Sequence, residues 1–242
     1  MGRVGRMLLR APIIALALAC AAEPEPPKSA ESPGKSVTPQ APALDATPVK
    51  TFGKAYPIDE APRDPAFAAF RDSLLQIVMR RDTSALFAVV APEIKSSFGG
   101  DDGRENFRSF WRVSEADTEL WTVLGDVLRH GGRFSGPDMF YAPYTFHALP
   151  DSLDAFEHLV VRDSDVVVRE RPDSTSAALA MLSFDIVRAG PFAPEQAWRA
   201  IELVDGRVGY VRGDQVRSPV DYRAGFERRA GRWWLVFLVA GD

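Results

Sequence analysis

Trp198-Arg199-Ala200-Ile201-Glu202-Leu203, then Asp205-Gly206, then Arg207-Val208-Gly209-Tyr210-Val211, is the stretch that decides how the second half of the chain folds. Two runs of mixed apolar and polar residues flank an Asp-Gly pair. That pair signals a tight hairpin, because the favoured two-residue turn needs positive φ at its centre. Outward from it the pattern repeats. Leu159-Val160-Val161 and Val166-Val167-Val168-Arg169 flank a turn at Asp163-Ser164. Pro172-Asp173-Ser174 marks another turn, and Leu182 to Val187 adds a further strand. About five short strands in roughly sixty residues predict a small barrel or sandwich.

Two runs in this region resemble the bacterial SH3-like (SH3b) family. Val168-Arg169-Glu170-Arg171-Pro172-Asp173, then Ser176 and Leu182, look like its opening. Trp198 to Leu203, the Asp205-Gly206 hairpin and Gly209-Tyr210-Val211 before a short turn look like its continuation. The resemblance covers residues 158–218. It implies a five- to six-stranded barrel of an exported or envelope protein, which binds a peptidoglycan peptide or an envelope protein partner and is not itself an enzyme. Trp198 and Tyr210 are the candidate ligand-binding residues, as an aromatic platform. The barrel interior is nonetheless the expected place for Trp198. Tyr210 is evenly balanced, since its hydroxyl needs water or a partner. Gly209 reads as a close approach between strands.

The start of the chain reads as an address. Arg3, Arg6 and Arg10 precede the short apolar run Ala11 to Ala19, the layout of an export signal. Nine residues span roughly 14 Å as a helix, far short of a ~30 Å hydrocarbon core. The sole cysteine, Cys20, follows Ala17-Leu18-Ala19, which resembles the lipobox of bacterial lipoproteins with Ala17 and Leu18 exchanged. By that resemblance Cys20 is the lipidation site, residues 1–19 are the signal peptide, and the chain is anchored by acyl chains. Ala21, rather than Asp, resembles the sorting position of outer-membrane lipoproteins facing the periplasm. Residues 20–57 are rich in Pro, Ser and Ala and predict a disordered tether, extended up to ~110 Å at ~3.1 Å per residue.

Residues 58–150 predict a mainly helical domain. Asp64-Pro65 is a cap and first-turn pair, and Phe67, Phe70, Leu74, Ile77 and Val78 share one helical face. A second helix is expected over Ser84 to Ala91, stopped by Pro92. Asp102 and Glu105 are expected to cap a third helix carrying Phe107, Phe110 and Trp111, rather than to bind a metal with Asp101. A fourth runs through Leu120, Trp121, Leu124, Val127 and Leu128 to Gly131-Gly132. Residues 151–218 form the barrel. Residues 219–242 predict a β-hairpin: Tyr222, Ala224 and Phe226 alternate with Arg223, Gly225 and Glu227, giving one wet face, and Trp233 to Val239 is apolar throughout and therefore central. Arg223, Arg228, Arg229 and Arg232 are expected to be solvated residues of an edge hairpin. The hairpin is expected to pack back on the helical unit, a layout that faintly resembles NTF2-like cone folds. The fold class is thus α+β.

Composition bounds the chemistry. The net charge is −4, from 29 Lys+Arg against 33 Asp+Glu. Loss of the three leader arginines moves it to −7, which argues against nucleic acid as a partner. One cysteine excludes an intrachain disulfide and any multi-cysteine metal centre. With Cys20 acylated, no cysteine is left for nucleophilic catalysis. His130 reads as a helix-end cation, and His147 and His158 as junction hydrogen-bonders. No metal site, catalytic residue or cofactor is expected. The alternative function is a small-molecule-binding or hydrolytic pocket in the helical half, lined by residues such as Phe98, Trp111, Trp121 and Tyr144.

Overall fold

The computed structural model describes residues 49–100, 102–191 and 197–241. The leader, Cys20, the tether up to residue 48, and Asp101 lie outside the described residues. The described residues form one compact unit with α+β architecture.

The first half begins with α1 (Pro65–Arg80). Asp64 Oδ1 accepts from the backbone N–H groups of Ala66 and Phe67 at 2.9 and 3.0 Å, satisfying donors that the first helical turn leaves open. Its other oxygen takes Arg228 at 2.9 Å, so one carboxylate caps the helix and holds the distant hairpin. α2 (Thr83–Val89) starts at Asp82, whose side chain accepts from Ala85 N–H. It ends before Pro92. Val90–Lys95 is a strand, β1, where sequence suggested only a helix stop. Proline is tolerated there because β1 is an edge strand. α3 (Arg104–Phe110) has Gly103 at its N-cap with no side-chain cap. This corrects the assignment of the cap to Asp102, whose carboxylate instead lies 3.8 Å from Lys95 Nζ. α4 (Leu120–Arg129) buries Leu120, Trp121, Leu124, Val127 and Leu128.

β2 (Arg133–Phe134) and β3 (Met139–Ala142) follow. The C-terminal strands β11 (Arg223–Arg229) and β12 (Arg232–Val239) meet at Ala230-Gly231, both with positive φ, as a twist-matched hairpin turn requires. β11 pairs with β3, and β12 pairs parallel with β1. The resulting five-stranded order is β1-β12-β11-β3-β2, so two of the three interior positions are filled by the last segment of the chain. One core joins α1–α4 to this sheet, with Phe67, Phe140, Phe226 and Leu235 fully buried.

The second sheet contains β4 (His158–Val161), β5 (Val166–Arg169), β6 (Ala178–Leu182), β7 (Ile186–Ala189), β8 (Trp198–Glu202), β9 (Val208–Arg212) and β10 (Val216–Arg217). All pairings are antiparallel, in the order β10-β4-β7-β8-β9-β5-β6. The sheet is not closed into a barrel. Each of its strands places residues in one core (Val161, Val166, Leu182, Val187, Ile201, Val211 and Val216 among them), and no helix residue joins it. Gly209 faces that core, where a Cβ would overlap the Val168 side chain.

Part of the expected tether, before residue 58, is packed on the second sheet. Phe52 and Ala55 donate backbone hydrogen bonds to Ile186 and Phe184, at 3.0 and 2.7 Å. Thr51 and Lys54 both reach the buried Asp185 carboxylate at 2.8 Å. Asp59 then pairs with Gly132 beside β2. Residues 51–60 are thus a strap joining the two sheets. Nonlocal backbone pairing and the packing of Phe52, Ala55 and Ile58 against Tyr144, Val160 and Ile186 hold this stretch, which its position after a Pro-rich run made read as tether.

A second tie is electrostatic. Asp126 on α4 receives Arg162 Nη1 at 3.0 Å and also Arg217 Nη1, both from the second sheet's side. The two arginine side chains are only 12% and 8% exposed. Asp126→Ala removes the carboxylate that both cations share, leaving Arg162 the Asp214 carbonyl and Arg217 the Tyr222 carbonyl and the more distant Asp221 carboxylate. It should cost about 2–3 kcal/mol, below the ~3–5 for a fully buried pair because Asp126 is itself partly wet. A urea midpoint lowered at unchanged m-value is the expected reading; an unchanged midpoint would show that the tie is dispensable.

Candidate functional site

The first sheet has two faces. Ala142, Ala224 and Leu238 lie in register and point to the helices. One residue along, a second row crosses all five strands on the opposite face: Lys95, Phe237, Gly225, Tyr141 and Arg133. Gly225 stands at its middle because a Cβ there would overlap the Phe237 ring. The ring leans over the glycine and stacks on Tyr141, with centroids 5.8 Å apart and planes 30° apart.

The 3₁₀ turn Tyr144–His147 and the loop after β1 build walls beside this row. Phe146 and His147 rise on one side, and Phe98 on the other. Arg223, 5% exposed, lies between the walls, with its guanidinium 4.7 Å from the Phe146 ring and 5.5 Å from that of Phe98. That location corrects its assignment to a wet strand face: two aromatic rings cover the cation. The hollow so formed has a volume of about 380 Å³ and is lined by Lys95, Phe98, Tyr141, Phe146, His147, Arg223, Phe237 and Val239. Its walls are mostly apolar, within the ~300–1,000 Å³ range typical of ligand sites. Burial, and next the charge of Arg133, lower the His147 pKa, so the imidazole is neutral at pH 7.

Of the aromatic residues expected to line a pocket in the helical half, Phe98 lines this hollow on the sheet's outer face, and Trp111, Trp121 and Tyr144 do not. Trp111 and Trp121 are buried in the first core, where Trp111 packs on Tyr222. Tyr144 is buried among Ala55, Val160 and Ile186, and burial pushes its phenol up to about 12. His130 and His158 each place Nδ1 against a backbone carbonyl, of Asp126 and Asp154. The hairpin arginines are paired, not simply solvated. Arg228 binds Asp64 and Asp138, Arg229 binds Glu93 and Glu227, and Arg232 covers the Trp234 ring. Among the described residues no group of three His, Cys, Asp or Glu could hold a metal ion.

Trp198 and Tyr210 share a face. Trp198 pairs with Arg212 and Ala200 with Tyr210, so both rings project to the same side of β8 and β9. Ile201 and Val211 point to the other side, into the core. The interior placement expected of Trp198 is therefore corrected: strand alternation gives the core to its odd-numbered neighbour Ile201. Both rings are half-buried, and Val208 and Met181 extend the exposed apolar area.

The sequence left most of the hollow unmarked because its lining comes from four separated segments. One signal was available. A glycine within an apolar strand often marks the close approach of a large group, and Gly225 does so here. No protein-family model, no curated protein and no solved structure matches the chain.

Proposed function

We propose that this is a non-catalytic, exported lipoprotein whose second sheet is an SH3-like module binding a cell-wall peptide or an envelope protein partner. One observation carries the reading: Trp198 and Tyr210 lie on one outward face of β8–β9 instead of in the core. Outward aromatic rings are large, rigid contact surfaces and are enriched at interfaces. The single core drawn from all seven strands, with no helix over it, supports a sheet that curls to cover its own apolar face. The turn at Gly213–Gln215 before the short β10 also fits the family's order of motifs. Cys20, in its lipobox, supplies the anchor at the outer membrane, facing the periplasm.

The test is co-sedimentation of the mature chain with purified peptidoglycan sacculi, with envelope extract as a second bait. Trp198→Ala with Tyr210→Ala should lower the bound fraction at least tenfold while leaving the thermal transition nearly in place, since neither ring fills the core. A well-folded chain that stays in solution with both baits would discard the proposal.

A further inference from the structure

We infer that the hollow on the outer face of the first sheet is a second binding site, for a flat apolar molecule that bears an anionic group. The argument starts from the row Lys95–Phe237–Gly225–Tyr141–Arg133. Its middle is aromatic and its two ends are cationic. Phe237 and Tyr141 present a nearly parallel pair of rings, and Phe98 and Phe146 stand beside them. A planar ring system placed there gains stacking and buries apolar area on several sides.

Charge selects the ligand's other end. The hollow's described lining holds Lys95 and Arg223 and no carboxylate. Asp102 lies near Lys95, but at 3.8 Å, beyond a direct hydrogen bond, and the Lys95 side chain is 60% exposed, which leaves the ammonium able to turn to a ligand. His147 is neutral at pH 7 and offers a hydrogen bond without charge. Arg133 is exposed at the far end of the row and adds to the positive field. A neutral apolar molecule would use the rings alone. A cationic one would meet like charge at Lys95. A hydrophobic carboxylate or sulfonate uses both features.

This site is separate from the Trp198–Tyr210 face and stands or falls independently of it. It is testable with two fluorescent probes of like ring systems: 1-anilinonaphthalene-8-sulfonate, and its uncharged analogue N-phenyl-1-naphthylamine. At pH 7 and low salt the native mature chain should bind the sulfonate at one saturable site, at least tenfold more tightly than the analogue. Lys95→Glu, at an exposed side chain, should weaken the sulfonate at least tenfold and leave the analogue within twofold. Phe98→Ala should weaken both. Equal affinity for the two probes, an unchanged sulfonate affinity in Lys95→Glu, or no saturable site on a chain that still melts cooperatively would each overturn the inference.

Discussion

Deleting residues 219–242 abolishes the cooperative unfolding transition of the first half of the folded chain. The reason is topological. β11 and β12 occupy the second and third places of a five-stranded sheet, between β1 and β3. Without them β1 has no strand partner, and β2–β3 is left as an isolated pair, which is marginal in water. The packing loss is as large. Phe226, Trp233, Leu235 and Leu238 leave the core, each worth about 1.5–3 kcal/mol of burial. The sum reaches the whole stability of an ordinary domain, about 5–15 kcal/mol. Residues 58–150 expressed alone should therefore show helical far-ultraviolet signal without fixed near-ultraviolet signal from Trp111 and Trp121, and no sharp thermal transition. A sharp transition in that fragment would mean that the four helices and β1–β3 hold a core unaided, and the dependence on the distant hairpin would be refuted.

This dependence also explains which features the sequence displays and which it conceals. α1 is legible because everything that makes it is local: Asp64 at the cap, Pro65 in the first turn, and Phe67, Leu74, Ile77 and Val78 on one face. The Asp205-Gly206 hairpin is legible for the same reason. β1 is not. Pro92 is locally a helix breaker, and only the parallel partner β12, some 140 residues away, makes Val90–Lys95 a strand. The strap at 51–60 is hidden in the same way, because backbone hydrogen bonds to Phe184 and Ile186 leave no mark on side-chain type. Trp198 shows the limit of composition. Tryptophan is an apolar residue with a polar edge, so its type fits core and surface alike. Register decides the matter, by giving the core to Ile201. The hollow on the first sheet was the least legible of all. Arg223 reads as a solvated cation until Phe98 and Phe146 are seen to cover it.

Phe67→Ala should be the most damaging single substitution in the first core. The side chain is fully buried and sits where α1 meets the sheet. Its ring centroid lies 4.2 Å from that of Phe140, 4.8 Å from Trp233, and 5.6 Å from both Phe134 and Phe226. Those neighbours come from β3, β12, β2 and β11, so one ring on one helix touches four strands. Truncation removes apolar burial and also leaves a void that these large, mutually packed rings cannot collapse to fill. A loss of about 3–5 kcal/mol is expected, at the full scale for a buried aromatic residue. For a chain of this size it should lower Tm by roughly 6–20 °C, at ~2–4 °C per kcal/mol. Phe67→Leu keeps most of the volume and should cost clearly less. Calorimetry of the two variants separates packing from helix propensity, since Ala and Leu are both good helix formers and differ little in that respect. If Phe67→Ala melted within two degrees of the parent, the ring would not be the junction between helix and sheet. The site on the sheet's outer face would then lose its structural footing as well, because the strands that position Tyr141 and Phe237 are the same strands that Phe67 holds from behind.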